Sequence, residues 1–260
     1  MLAQERHNQI LSLLDERGSV RTIDMAREFQ VTDETIRRDL QILEKTHQLI
    51  RVHGGASSPT ARPRLKSFTE RRTTNVEKKR AIAQAALEWI QPGETIVFDS
   101  STTVFELVLS LPNIPLRVVT NAHAVIHQLI ESPEIEIVAT GGQYHPKTQT
   151  FNSPTPLPHL KRLNIQKAFV SCIGLDFKRG ASEGFETQAI FKESLLQLCE
   201  EVVLLVDSTK LNKRSEYFFA SLDNINHVIT DSGVTQDQIV AIEAAGCKVT
   251  IANPQSVIIP

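Results

Sequence analysis

Thr35-Ile36-Arg37-Arg38 sets two adjacent arginines just inside an amphipathic segment, residues 32–45, whose Ile36, Leu40 and Leu43 recur at helical spacing. A guanidinium can clamp a guanine edge or a phosphate with two bonds, and a threonine hydroxyl can reach either. A second chemistry-bearing stretch is Asp99-Ser100-Ser101-Thr102-Thr103, which ends one apolar run and opens another. Hydroxyls and free backbone N–H groups at such a helix start can cradle a phosphate. Thr120-Asn121, Gly141-Gly142 and Asp207-Ser208-Thr209-Lys210 close three further apolar runs. Taken alone, the 99–103 stretch is as well explained by a plain helix cap, and Lys210 by a surface lysine. Several such loops gathered on one sheet edge favour a small anionic ligand instead. His123 and His127 stand four residues apart, a metal-like spacing without a third ligand, so no metal and no cofactor is expected. His123 is within reach of the ligand loops, and His127 reads as a helix-surface or packing residue.

The elements that must carry these residues follow from periodicity. Ile10, Leu11, Leu13 and Leu14 predict one face of a first helix, stopped at Gly18. Thr22 reads as the cap of a second helix buried through Ile23, Met25, Ala26 and Phe29. Thr32 caps the third, with Asp33 and Glu34 where the helix dipole favours acids. Two short helices about a tight turn make a helix-turn-helix, whose second helix enters the DNA major groove. Residues 48–56 then read as a strand turning at Gly54-Gly55, a wing. The alternative for this part is a three-helix module that binds protein. Residues 58–74 are polar, basic and proline-containing, and read as a linker. Beyond them, apolar runs without alternation are separated by helical stretches, which predicts an α/β domain with a parallel sheet covered on both faces. In such sheets ligands bind beyond the C-terminal strand ends, where the polar loops fall.

Composition supports two tasks. Of 28 Lys/Arg and 30 Asp/Glu, residues 1–72 hold 13 and 10, so a mildly basic front precedes an acidic body. The 3 cysteines, Cys172, Cys199 and Cys247, are far apart, which suits reduced thiols in a cytoplasmic protein. The first residues lack the apolar run of a signal peptide, and no run approaches the ~20 apolar residues of a membrane span.

Residues 6–56 resemble the helix-turn-helix domain of the DeoR family of bacterial transcription regulators. The resemblance is carried by Arg6, by Thr35-Ile36-Arg37-Arg38-Asp39-Leu40 and by His53-Gly54-Gly55-Ala56, with Thr32 where the family more often has Ser. It implies double-stranded operator DNA as partner and Thr22, Thr32, Thr35, Arg37, Arg38 and His53 as DNA-binding residues. The remainder resembles the family's sensor domain, which is similar to phosphosugar isomerases and binds phosphorylated sugars. Phe68, Arg71, Asn75, Glu77 and Lys78 fit its opening motif; Thr102-Thr103, Thr120-Asn121, Gly141-Gly142, residues 174–176, Lys192 and residues 207–210 fit later ones. Most members have Gly where this chain has Ser101. The expected organisation is a winged helix-turn-helix over 1–57, a linker over 58–74 and a sensor over 75–260. Asp99, Ser100, Ser101, Thr102, Thr103, Asn121, Gly141, Gly142 and Lys210 are the expected effector-binding residues. The stretches "DSSTT", "SCIGLDFKRGA" and "LLVDSTKLNKRSE" are most similar to the L-fucose operon activators within the family, which implies L-fuculose 1-phosphate as effector. Because one helix-turn-helix reads only a half-site, a homodimer or higher oligomer is expected. The rival expectation is an isomerase-like enzyme with an appended DNA-binding domain, using Asp99, Asp176 or Glu186 as general base.

Overall fold

Ile10, Leu13 and Leu14 on one helix, Met25 and Ala26 on the next, and Ile36, Leu40 and Leu43 on a third meet in a small core. The computed structural model describes residues 2–46, 48–57, 66–153 and 158–253. The chain divides into two units, Met1–Lys66 and Ser67–Pro260. In the first, α1 (Ala3–Arg17) stops at Gly18, whose φ of 72° suits glycine, and leads to β1 (Ser19–Arg21), α2 (Thr22–Glu28) and α3 (Asp33–Lys45). β2 (Ile50–Val52) and β3 (Gly55–Ser57) complete a small antiparallel sheet in the order β1-β3-β2. This is the expected winged helix-turn-helix, with its turn at His53-Gly54 rather than Gly54-Gly55. Gly55 already lies in β3, where a Cβ would sit 2.0 Å from the Val20 carbonyl oxygen, so the close β1–β3 approach requires glycine.

α2 corrects two expectations. Arg21, not Thr22, is its N-cap residue, and Ile23 is exposed. Thr22, Met25, Ala26 and Phe29 follow i, i+3, i+4 and i+7, and that stripe faces the core. Thr22 is therefore buried as the first helical residue.

An ion cluster lies within this unit. Arg6 Nε donates to Asp39 Oδ2 at 2.5 Å and its Nη2 to Oδ1 at 3.1 Å, while His7 Nε2 lies 2.9 Å from Oδ1. All three residues are buried. Burial pushes the Asp39 carboxyl up, but the bonds from Arg6 and His7 outweigh it and hold its pKa below the ordinary value. Arg6 and Asp39, both part of the family motif, thus orient α3 against α1.

The second unit opens earlier than expected. Residues 58–65 of the expected linker lie outside the described residues, but Phe68–Arg72 form α4. Ser67 accepts from Glu70 N at 3.2 Å, and Glu70 accepts from Ser67 N at 2.8 Å, a reciprocal cap legible as S-x-x-E. Phe68 packs edge-on against Phe105 at 5.7 Å. α5 (Val76–Leu87) follows. The main sheet then assembles from β4 (Thr95–Phe98), β5 (Leu116–Thr120) and β6 (Ile135–Ala139), with α6 (Thr102–Leu109) and α7 (His123–Leu129) between them. After the hairpin β7 (Gln143–His145) and β8 (Thr150–Asn152) comes β9 (Ile165–Val170), then β10 (Gly174–Asp176), β11 (Gly180–Glu183) and α8 (Glu186–Leu196). β12 (Cys199–Leu205), β13 (Tyr217–Ala220), β14 (His227–Asp231), α9 (Gln236–Ala244) and β15 (Lys248–Ala252) complete it.

The seven-stranded sheet runs β15-β14-β12-β9-β4-β5-β6, and every neighbouring pair is parallel. Its strands alternate between two cores. Val97, Val119, Ala168 and Leu204 face one side, and Ile96, Phe98, Val118, Phe169 and Val203 the other. That double burial is why these strands read as unbroken apolar runs. The small antiparallel sheet β10-β11-β13 and the hairpin β7-β8 were not expected from the sequence.

Replacing Asp39 with Ala leaves Arg6 buried without its carboxylate. Chemical denaturation of the full chain should show a loss of about 3–5 kcal/mol in the transition of the first unit, whereas exposed Arg37→Ala should stay within about 0.5 kcal/mol. Asp39 is more acidic folded than unfolded, so its contribution is present above the ordinary carboxylate pKa of about 3.9 and is lost as pH falls below it.

Candidate functional site

In the first unit, α3 presents the expected residues on its outer side. Thr32 caps the helix, accepting from Thr35 N at 3.2 Å, and the two hydroxyls lie 2.9 Å apart. Arg37 and Arg38 are exposed; Arg37 meets Glu34 only at 3.9 Å, with both side chains largely in solvent. Such a pair contributes little, so both guanidiniums are available to an anionic partner. His53 is exposed at the wing turn. Thr22, the buried first residue of α2, is the one member of the expected DNA-binding set that does not offer an exposed or half-exposed side chain.

In the second unit, parallel strands put every strand end at one edge. Asp99, Ser100 and Ser101 follow β4, Asn121 follows β5, Thr140, Gly141 and Gly142 follow β6, Ser171 follows β9, and Asp207 to Lys210 follow β12. At the centre is Lys192 of α8. Its Nζ lies 2.8 Å from Asp99 Oδ2 and 2.5 Å from Glu183 Oε1, and donates to the Ser171 carbonyl at 2.5 Å. Burial pushes the Lys192 ammonium down, yet the two carboxylates outweigh it and hold its pKa above the ordinary value. Asp99 also accepts from Ser101 N at 2.8 Å and Ser171 N at 2.9 Å. It is a buried tie between three loops.

Ser101 Oγ accepts from Val104 N at 3.2 Å, so the serine found in place of glycine is the cap of α6. The Thr102 and Thr103 amides lie in that first turn. Ser100 Oγ donates to Gln188 Oε1 at 2.9 Å, and Gln188 Nε2 reaches Thr150 Oγ1 at 2.9 Å and Asn152 Oδ1 at 3.0 Å. The hairpin β7-β8 is thus tied to the β4 loop. Its backbone also holds the β5 end, through Phe151 N to Asn121 O at 2.9 Å, and α4, through Phe68 N to Lys147 O at 2.9 Å. Gly142, with φ 108°, allows this: a Cβ there would sit 2.3 Å from the Asn152 carbonyl oxygen.

Three cations converge beside this edge. Lys210 Nζ lies 3.7 Å from Asp207 Oδ2 and 3.5 Å from Ser171 Oγ. Lys79 is buried, and its Nζ donates to the Arg71 carbonyl at 2.5 Å; among the described residues no carboxylate lies within ion-pair distance. Burial, and then repulsion from Lys210, pushes the Lys79 ammonium down to about 8. Burial likewise lowers the Arg71 pKa, against the attraction of Glu183 and Asp99. A buried charge without a partner is costly unless something supplies the opposite charge. The loop carrying Lys210 is pinned from α5: Asn75 Nδ2 donates to Asp207 Oδ1 at 3.2 Å and Thr209 Oγ1 at 3.1 Å, and Lys78 Nζ reaches Ser208 Oγ at 2.7 Å and Asp231 Oδ2 at 3.0 Å.

Glu183, Lys79 and Thr140 escaped the sequence reading. Lys79 adjoins a motif lysine and has no periodic signature, whereas Thr140 could have been found as the polar residue opening the Gly141-Gly142 turn. Each candidate general base of the isomerase-like alternative is either tied to a cation or exposed. Asp99 is held by Lys192, Asp176 is bound to Arg214 at 2.6 Å, and Glu186 is exposed. A cleft of about 630 Å³, lined by residues including Arg179, Glu193, Phe218 and Asn226, opens instead at the beginnings of β12 and β14. Its polar groups serve the fold: Arg179 stacks on Phe218 at 3.9 Å, and Asn226 accepts from Val202 N at 2.8 Å. The strand ends, beside a buried Lys79 with no carboxylate in ion-pair distance among the described residues, are the stronger candidate. No helix among the described residues is long and apolar enough to cross a membrane.

Comparison with known proteins agrees with both halves. Residues 6–62 match the DeoR-like helix-turn-helix domain, and residues 74–232 match the DeoR C terminal sensor domain. The HTH-type transcriptional regulator YulB of Bacillus subtilis is 37% identical over 96% of this chain and 97% of its own. A putative aga operon transcriptional repressor of Escherichia coli O157:H7 is 30% identical over 96% and 94%. An L-fucose operon activator of Haemophilus influenzae is 34% identical over 87% and 91%.

Proposed function

This chain belongs to the DeoR family of transcription regulators, and we propose that it controls a sugar catabolic operon by binding a phosphorylated sugar at the C-terminal ends of β4, β5, β6, β9 and β12. The observation that carries this reading is the group of buried or half-buried cations at the strand ends: Lys79 and Lys210 repel each other, Arg71 is drawn toward Asp99, and Lys210 lies 3.5 Å from Ser171 Oγ. Free helix amides and cations together form a phosphate site. Ser100, Ser101, Thr102 and Thr103 bound it, while Asn121 and the Gly141-Gly142 backbone line the sugar. Within the family, similarity to the L-fucose operon activators favours L-fuculose 1-phosphate as effector. The protein acts in the cytoplasm as a homodimer or larger assembly, each α3 entering a major groove through Thr35, Arg37 and Arg38, with Thr32 and His53 at the backbone. Effector and operator communicate through α4 and α5, because Asn75 and Lys78 hold the loop that carries Lys210.

A gel-shift titration tests this reading. Lys210→Ala should retain wild-type operator affinity without effector and lose its response to sugar phosphates. An unchanged response in Lys210→Ala would remove the phosphate from this loop. The Lys79 ammonium adds a pH signature. A phosphate dianion favours the charged lysine, so its binding draws a proton when pH exceeds the free-site pKa of about 8. Effector affinity measured by calorimetry should therefore fall as pH rises from 8 to 9.5, by at most about tenfold per pH unit. Lys79→Met should flatten the profile. A flat wild-type profile would separate Lys79 from the site.

A further inference from the structure

The outward face of α3 carries more than its two arginines. Ile36, Asp39, Leu40 and Leu43 form the buried side of the helix. At about 100° per residue, the direction opposite them runs between Arg38 and Gln41 and on through Lys45. All three are exposed, and among the described residues none of their side chains has a hydrogen-bond or ion-pair partner. Glu34 points the same way one turn earlier, where it favours the helix dipole and leans on Arg37 at 3.9 Å. Arg37 and Ile42 stand roughly 70° to opposite sides of that line. Ile42 is 48% exposed on a helix whose apolar side is already filled by Ile36, Leu40 and Leu43. The core needs neither Gln41 nor Ile42.

Arg38, Gln41, Ile42 and Lys45 recur at i, i+3, i+4 and i+7. Helices that lie along a major groove set base-reading side chains at that spacing. Three of these residue types have a matching base edge. Arginine bonds O6 and N7 of guanine, glutamine bonds N6 and N7 of adenine, and an apolar side chain packs on the thymine methyl. Three residues advance a helix by about 4.5 Å, little more than the ~3.4 Å step between base pairs, so Arg38 and Gln41 face neighbouring pairs. Arg37, turned aside from the base edges, faces the wall of the groove, where the phosphates lie.

We propose that Gln41 and Ile42 are specificity-determining residues of α3: Arg38 reads a guanine, Gln41 an adenine in the next base pair and Ile42 the methyl group of a thymine there, while Arg37 holds phosphate. The proposal rests on the placement of α3 in the major groove and adds the bases that it selects. Each half-site then contains a G·C pair adjoining an A·T pair.

Selection of binding sites from a randomised duplex library by the full chain, followed by gel shifts on the selected duplex, decides it. The wild type should enrich a G·C pair beside an A·T pair. Gln41→Ala should lose its preference at the A·T pair by roughly five- to a hundredfold. That loss should be confined to the one pair, whereas a structural role for Gln41 would weaken every duplex alike. Gln41→Arg should move the preference there from adenine to guanine. Deoxyuridine in place of thymine removes only the methyl group; it should weaken the wild type about fourfold and leave Ile42→Ala unaffected. Arg37→Ala should weaken all duplexes alike and flatten the salt dependence. An unchanged preference at the A·T pair in both Gln41 variants overturns the proposal, as does an equal response to deoxyuridine in wild type and Ile42→Ala, or a selected site with no A·T pair beside a G·C pair. If Arg38→Ala then still erases the preference at one pair, α3 remains in the groove and only this proposal falls. If Arg38→Ala also leaves every preference intact, the placement of α3 falls with it.

Discussion

The sensor unit depends on one buried ammonium. Lys192 joins Asp99 after β4, Glu183 at the end of β11 and the Ser171 carbonyl after β9. Two carboxylates buried side by side would repel, and a lone buried lysine would lose its proton; the cluster is tolerable only complete. Completeness fixes the relative positions of three loops beneath the proposed ligand. It also removes Asp99 from the set of groups free to touch an effector. Asp99 is better described as the foundation of the site than as a contact.

The same logic recurs in the first unit at smaller scale. Arg6 and His7 on α1 hold Asp39 on α3, one residue beyond the exposed Arg37 and Arg38. The inward acid fixes the helix that carries the outward bases. In each unit, then, a buried charge cluster positions charges that remain available. Arg37 and Arg38 in one unit, and Lys79, Arg71 and Lys210 in the other, are the groups without strong internal partners. A regulator that couples operator DNA to a phosphorylated small molecule needs both sets.

Much of this was legible because it was periodic. Unbroken apolar runs foretold the parallel sheet, since strands buried on both faces have no polar alternation. Its parallel sense then placed the polar loops at 99–103, 121, 141–142 and 207–210 on one edge. Local rules failed where tertiary packing chose otherwise. Ile23 looked buried and Thr22 looked like a cap, but the stripe through Met25 and Ala26 turned Thr22 inward. Phe68–Arg72 read as linker because basic and polar residues dominate; the S-x-x-E cap and the single Phe were the readable signs of a helix. The β10-β11-β13 sheet was hidden by strands of three or four residues. Lys79 and Glu183 could not be found from one sequence, because their importance lies in which charges surround them.

The central claim is that one strand-end site and one recognition helix belong to a single thermodynamic switch. Effector affinity measured by calorimetry with and without saturating operator DNA tests it most directly. Linkage requires the operator to change effector affinity by the same factor by which effector changes operator affinity, with a coupling of about 1–3 kcal/mol. Equal effector affinity in the two conditions, with both ligands bound, would contradict the account.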